Sequence, residues 1–489
     1  MCQRQLLSIL SLLLIAGACA SREPSESVVS AAASSLFETL DPGWSTVRPG
    51  GETICSLGSE YSFFVRPGAT ERLLVYFQGG GACWNAETCD PEGDPTYSLA
   101  VDDSDNPQHH PFGIFDLDNA RNPLREYSMV MVPYCTGDVH LGDRSATYTV
   151  DSDAQPSREI TVHHRGYANA TAALEWVYAH FPEPAQIVVA GSSAGSIPSP
   201  FYAQLLADRY SEADIVALGD AAGSYRRDPE SDANPILSWD LLDVVQRHPG
   251  YGDFDAASLG FADLYIIAGE QHPELRLLQF DAADDGVQQF FLDLAYEGES
   301  RVRDAIADNR AEIRARVSSF RSYLAGGAEH TILGREAFYS YEVNGALFSD
   351  WLAAAVAGEP LDDVVCDRCE RAEIHLTAED ASIAERALQT LADEASWARI
   401  DDGPCSEQNE KSRSLRCALL DATREVSRTM ASESGAILEA RFEALERLGT
   451  EGVRGSALVA FNNRPETSFA DVRELVEVVA QRAREHRHD

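Results

Sequence analysis

Short apolar runs alternate with stretches of helical spacing over the first three quarters of the chain. Residues 73–77 (LLVYF), 127–133 (YSMVMVP), 186–190 (QIVVA), 215–218, 264–268, 275–280 and 319–324 each predict a strand. Between them, residues 168–181 place Ala173, Trp176, Val177 and Phe181 on one helical face, and 201–210 predict the next helix. Strands apolar on both faces and separated by helices predict an α/β fold with a mainly parallel sheet flanked by helices. No repeat of fixed period runs through the chain. Beyond residue 374 the rhythm changes: 378–395, 415–430, 433–448 and 469–484 all read as amphipathic helices. The expected organisation is an α/β domain over 36–373 and an extra C-terminal helical region of unassigned role over 374–489.

The N-terminus follows neither pattern. Arg4 precedes an apolar run at 6–15, short for a bilayer span but of the right length for a signal peptide. Ala16, Gly17 and Ala18 then lead to Cys19, an arrangement similar to a bacterial lipobox, with Ala16 where that pattern prefers leucine. Residues 1–19 are therefore expected to be a signal peptide with Cys19 as the lipid attachment point, and 20–35, rich in Ser, Ala and Glu, a flexible tether. Cleavage after Ala18 or Ala20 without lipidation is the alternative. No later run is apolar enough to cross a membrane, so membrane association is expected through a lipid anchor at most. The protein is expected at the outer membrane or cell surface, or secreted or periplasmic.

Composition narrows the function. A chain of 489 residues with 44% hydrophobic content can bury a large core, and its length allows up to about three domains. The formal charge of −40 and the absence of any basic stretch exclude a nucleic-acid partner. The same field repels unesterified polyanions. Lys411 is the single lysine, which removes lysine-based phosphate or Schiff-base chemistry elsewhere. Without Cys2 and Cys19, eight cysteines remain: Cys55, Cys83, Cys89, Cys135, Cys366, Cys369, Cys405 and Cys417. An even set in an exported chain reads as disulfides, with Cys83 and Cys89 a local pair. A zinc knuckle from the last four matches no common spacing, and no metal or organic cofactor is expected.

Gly191-Ser192-Ser193-Ala194-Gly195 follows the 186–190 strand and precedes the 201–210 helix. Gly-x-Ser-x-Gly in that context is a nucleophile turn: small flanking residues let the chain fold back sharply and push the Ser193 hydroxyl out at the carboxyl end of the sheet. A serine nucleophile needs a base, and the base a carboxylate, in the order Ser, Asp or Glu, His. His330 follows the last strand candidate, with His272 as the runner-up. Asp281, Asp284 and Asp285 follow the 275–280 strand, and Asp220 is a further candidate acid. Gln78-Gly79-Gly80-Gly81-Ala82-Cys83 supplies a loop whose N–H groups can face a substrate carbonyl.

Taken together, Phe77-Gln78-Gly79-Gly80-Gly81-Ala82-Cys83-Trp84, Pro133-Tyr134-Cys135-Thr136-Gly137-Asp138 and Gly191 to Gly195, in this order, resemble the pectin acetylesterase/Notum family over about 36–369. The resemblance implies an α/β-hydrolase-like fold and serine carboxylesterase chemistry. It carries the nucleophile to Ser193, the acid to Asp285 through Asp285-Gly286-Val287-Gln288, and the base to His330. It carries the oxyanion donors to Gly80, Gly81 and Ala194. Ser196 departs from the family, which has a glycine there. The expected function is exported oxygen-ester hydrolysis, deacetylating a polysaccharide such as pectin. The alternatives are a lipase-like fatty-acyl esterase and a non-catalytic surface binding protein on a hydrolase fold.

Overall fold

The computed structural model describes residues 42–152, 155–225, 238–295, 301–408, 411–427, 434–449 and 456–485. The expected signal peptide and tether, with Cys19, lie outside the described residues. Among those described, no helix is long and apolar enough to cross a membrane.

A nine-stranded sheet organises the larger part of the chain. Its strands are β1 (Ser45–Val47), β2 (Phe63–Arg66), β3 (Ala69–Phe77), β4 (Tyr127–Val132), β7 (Gln186–Ser192), β8 (Asp214–Asp220), β9 (Arg276–Ala282), β10 (Phe320–Ala325) and β13 (Val364–Val365). The spatial order is β1-β2-β4-β3-β7-β8-β9-β10-β13. Every pairing from β4 onward is parallel, and β1 and β2 close one edge antiparallel. Successive side chains of a strand point to opposite faces. Accordingly Leu73, Val75 and Phe77 enter one core, and Leu74 and Tyr76 the other. Helices α1 (Gly166–His180), α2 (Ser199–Arg209), α3 (Phe261–Gln271), α4 (Gly286–Ala295), α5 (Val302–Arg316) and α6 (Phe348–Val356) flank the sheet. A hairpin of β5 (Arg144–Ser152) and β6 (Gln155–His164) stands apart, as does a small sheet of β11 (Tyr341–Val343), β12 (Ala346–Leu347) and β14 (Glu373–Ile374).

One strand expectation fails. Residues 264–268 lie inside α3, which is buried from Ala262 to Gly269. A short run apolar on all sides carries no period, so spacing alone does not separate a buried helix from a buried strand.

The helical region comprises α7 (Ala378–Thr390), α8 (Leu415–Ser427), α9 (Gly435–Leu448), α10 (Ala457–Asn463) and α11 (Phe469–Glu485). It has its own core, with Ile383, Leu419, Ile437, Leu458 and Val476 among its members. Leu438, Phe442 and Ala483 instead join the core on one face of the large sheet. The eight described cysteines form Cys55–Cys135, Cys83–Cys89, Cys366–Cys369 and Cys405–Cys417. The last four therefore offer no thiolate set for zinc. Cys83, Cys89 and His164 cluster within ligand range, but the two cysteines are bonded to each other and both ring nitrogens of His164 are engaged.

Candidate active site

In a parallel sheet the loops that leave the carboxyl ends of the strands share one edge. Here they carry the glycine loop after β3, Ser193 after β7, Asp220 at the end of β8, Asp285 after β9 and His330 after β10. His272 follows α3 and precedes β9, at the opposite edge, where it pairs with Asp208 at 2.8 Å and Glu274 at 3.1 Å. It is not placed to serve Ser193.

The turn at Ser193 is built by close approach. A Cβ on Gly191 would lie 2.0 Å from the Gly195 carbonyl oxygen, so only glycine fits where the chain doubles back. Ser193 has φ of +53°, a conformation that costs a non-glycine residue energy and persists where its surroundings enforce it. Gly79 packs against the same turn, since a Cβ there would lie 2.3 Å from the Ser192 carbonyl oxygen. Gly80 and Gly81 have φ of +146° and +76°. Ser196, the departure from the family pattern, is fully buried and donates its hydroxyl to the Ser193 carbonyl at 2.6 Å, so it tightens the turn.

Of the three candidate acids at the end of β9, Asp285 meets His330, with Oδ2 2.7 Å from Nδ1. Its other oxygen accepts the Val287 and Gln288 N–H groups at 2.9 and 3.0 Å, which caps α4. The Gln288 amide donates to Asp285 and to Asp281, both at 3.0 Å, and its carbonyl accepts from Ser224. This is the physical content of the Asp-x-x-Gln motif: the carboxylate is held from both sides and points one lone pair at the histidine. Asp281 is engaged by the buried Arg310 at 2.7 Å and by the Gly223 N–H at 2.9 Å. Asp284 forms a two-armed pair with Arg303 at the surface.

Asp220 is fully buried and does something different. It accepts the Ile332 and Leu333 N–H groups at 3.0 Å, just past His330, and the Ser192 hydroxyl at 2.6 Å, just before Ser193. Tyr76 donates to Ser192 at 2.9 Å and completes the chain. Burial pushes the Asp220 carboxyl up to about 6, against the pull of these donors.

The Pro133–Asp138 motif supports the glycine loop. Gln78 accepts the Tyr134 N–H through its side chain at 3.0 Å, and its backbone carbonyl takes a bond from His140 Nε2 at 2.8 Å. Cys83 N–H reaches the Gly137 carbonyl at 2.9 Å. Burial lowers His140 to about 4, so its ring is neutral, and raises Asp138 to about 7. Tyr76, Gln78 and His140 were not singled out by sequence reasoning as members of the site, and Gln288 entered only as the last residue of the Asp-x-x-Gln match. Gln78 stands in the motif, whereas Tyr76 and His140 carry no local signal that separates them from core residues.

A serine on a sharp strand-to-helix turn, with an Asp–His pair on neighbouring loops of a mainly parallel sheet, defines an α/β-hydrolase-like protein. Residues 48–249 match the family profile described as Pectinacetylesterase, a stretch that includes the glycine loop and Ser193 and ends before Asp285 and His330. Palmitoleoyl-protein carboxylesterase NOTUM of Schmidtea mediterranea is 24% identical over 153 residues, which is 29% of this chain and 26% of that protein. The chain thus spans about a quarter of the length of that relative. A solved structure of the Wnt deacylase Notum from Drosophila aligns with TM-score 0.45 and 15% identity, over 67% of this chain and 97% of that one. Over residues 48–249 the chain is thus similar to the pectinacetylesterase family.

Proposed function

We propose that the protein is an exported serine carboxylesterase that hydrolyses oxygen esters, with 36–373 as the esterase unit and 374–489 built onto it. Ser193 is the nucleophile, His330 the base and Asp285 the carboxylate that orients it. The observation that carries this reading is the 2.7 Å Asp285–His330 contact on loops at the same sheet edge as the Ser193 turn. With Nδ1 of His330 engaged by Asp285, Nε2 is left to take the Ser193 proton as the hydroxyl attacks the ester carbonyl. The N–H groups of Gly80, Gly81 and Ala194 receive the developing oxyanion. The alcohol leaves with the proton held by His330, and water activated by the same ring then releases the acid from Ser193. Four disulfides suit an oxidising compartment and support export. An acetylated polysaccharide is the substrate class the family supports.

One observation favours longer acyl groups. Val287, Phe290 and Leu294 form an exposed apolar stripe on α4, which begins beside Asp285. Turnover of p-nitrophenyl acetate, butyrate and octanoate, with Ser193→Ala as the control, tests both readings. The acetyl ester is expected to be turned over by the wild type, and Ser193→Ala to abolish it in folded protein. A preference for octanoate would move the substrate class to fatty-acyl esters. Full turnover by Ser193→Ala would remove the triad.

A further inference from the structure

The loop that carries His330 is braced from both sides. On the sheet side Asp220 holds the Ile332 and Leu333 N–H groups. On the far side Gly327 N–H bonds the Cys369 carbonyl at 2.9 Å, and Gly326 leaves no room for a Cβ, which would lie 2.0 Å from the Arg371 carbonyl oxygen. Between these braces Thr331, directly after His330, has φ of +65°. A β-branched residue in that conformation persists only when its surroundings enforce it.

The far brace leads into the helical region. Arg371 reaches Glu439 at 2.6 Å and Glu446 at 2.7 Å, both on α9. The same helix lays Leu438 and Phe442 into the core of the large sheet, with Phe442 edge-on to Tyr341 at 6.4 Å. Positions 438, 441, 442 and 445 share one helical face, and Leu445 also packs on that core. Arg441 projects from this face and binds Glu329, the residue before His330, at 2.7 Å. The Glu329 side chain is 10% exposed and that of Arg441 33%. Much of this pair is therefore shielded from water, where it holds geometry better than a surface contact does.

We propose that Arg441 is a positioning residue: through Glu329 it fixes the loop and ring of His330, which makes α9 a working part of the esterase. The inference rests on His330 being the catalytic base as read above. It assigns the C-terminal helices a task beyond packing, since the histidine loop is completed by a side chain from outside the sheet domain.

The test compares Arg441→Met, Arg441→Lys and Glu329→Gln in the full chain by kcat and KM on p-nitrophenyl acetate. The ring signals of His330 are followed by NMR in histidine-labelled protein and assigned by their loss in His330→Gln. Arg386→Met, which removes an ion pair to Glu425 on the outer face of the helical region, is the control. A small displacement of a catalytic group costs about ten- to a hundredfold in turnover. Arg441→Met is expected to lose that much in kcat with KM within about twofold, Arg441→Lys to recover most of it, and Arg386→Met to match wild type. The His330 signals are expected to broaden or split in Arg441→Met. Should that variant fail to fold, Glu329→Gln removes the same pair without touching α9 and is expected to show the same kcat loss. Wild-type kcat together with unchanged His330 signals in either folded variant would overturn the proposal. If Ser193→Ala hydrolyses the ester as wild type does, the esterase reading fails, and the His330 signals still decide whether Arg441 orders that ring.

Discussion

Asp220→Asn separates two roles a buried carboxylate can have at this edge. The substitution keeps the shape and removes the charge. An ordinary aspartate loses its proton near 3.8, whereas burial holds Asp220 up to about 6 in the folded protein. Between those values the folded state binds the proton more tightly than the unfolded state. Stability from this group is therefore fully present below 3.8 and is lost as pH rises through 6. At about 1.4 kcal/mol per pH unit, the wild type gives up roughly 3 kcal/mol across that window. The asparagine variant gives up none. At pH 7 it is relieved of the buried charge but sets an NH₂ group against the Leu333 N–H and the Ser192 hydroxyl, at a cost of about 1–3 kcal/mol. The two effects nearly cancel, so stability at pH 7 stays within about 2 kcal/mol of wild type. Turnover falls by roughly ten- to a hundredfold, because the histidine loop loses its charged anchor. Urea unfolding of both proteins at pH 4.5 and 7.5, with ester turnover at pH 7.5, measures each quantity. Equal pH dependence of stability in the two proteins would refute the buried-charge argument. Turnover as low as that of His330→Ala would refute the anchor role and make Asp220 the triad acid.

Further perturbations address the remaining contacts. Asp285→Asn keeps the α4 cap through Oδ1 but sets an NH₂ group against both His330 Nδ1 and the Gln288 amide, so kcat drops on the order of 10⁴-fold in steady-state assays, and the lost Gln288 bond costs about 1–3 kcal/mol of stability. Alanine at His272 removes only contacts to Asp208 and Glu274 at the far edge, and the same assay is expected to give kcat within about twofold of wild type. His164 donates to the Thr136 carbonyl and accepts from Tyr148, and burial lowers it from 6.5 to about 4. Its contribution, about 3 kcal/mol, is present above pH 6.5 and lost as pH falls to 4. Acid unfolding of His164→Gln is therefore expected to be less steep over that range. Joint replacement of Cys55 and Cys135 by serine frees a loop of 80 residues, and the denaturant midpoint is expected to register a loss of about 4 kcal/mol.

Strand and helix periodicity carried much of the fold, and the limits are instructive. Residues 73–77, 186–190 and 275–280 announce themselves because a central parallel strand is apolar on both faces. Residues 264–268 have the same appearance and are helical, because α3 is buried on nearly every side. The β5–β6 hairpin was not anticipated: Thr147, Thr149, Thr161 and His163 alternate with apolar residues over a partly exposed ribbon, and no tight-turn signal marks it. At the site, Ser193 and the glycine loop are legible because both depend on residues without side-chain bulk, which leaves a mark in sequence. Which carboxylate meets His330 is not legible by spacing. Asp281, Asp284 and Asp285 stand within five positions, and only the geometry at the end of β9 shows that one faces Arg310, one the surface and one His330. The resemblance pointed to Asp285 through Gln288 and left Asp281 and Asp284 open; the two bonds that Gln288 donates give a physical reason for a glutamine three residues on.

Two strained residues stand next to each other in function and far apart in sequence. Ser193 and Thr331 both have φ near +60°, one at the proposed nucleophile and one beside the proposed base. Neither conformation is self-supporting, and Asp220 touches both turns: the Ser192 hydroxyl on one side, the Ile332 and Leu333 N–H groups on the other. A single buried carboxylate thus links the turn that carries Ser193 to the loop that carries His330. An apolar residue there would spare the burial of a charge, yet it would leave two buried N–H groups and a hydroxyl without an acceptor. The carboxylates at this edge are chemically alike and acquire separate tasks from the donors that meet them. Arg310 commits Asp281 to structure, backbone N–H groups make Asp220 a tie between loops, and only Asp285 keeps an oxygen for a histidine. That division of donors, rather than position in the chain, decides which aspartate meets His330.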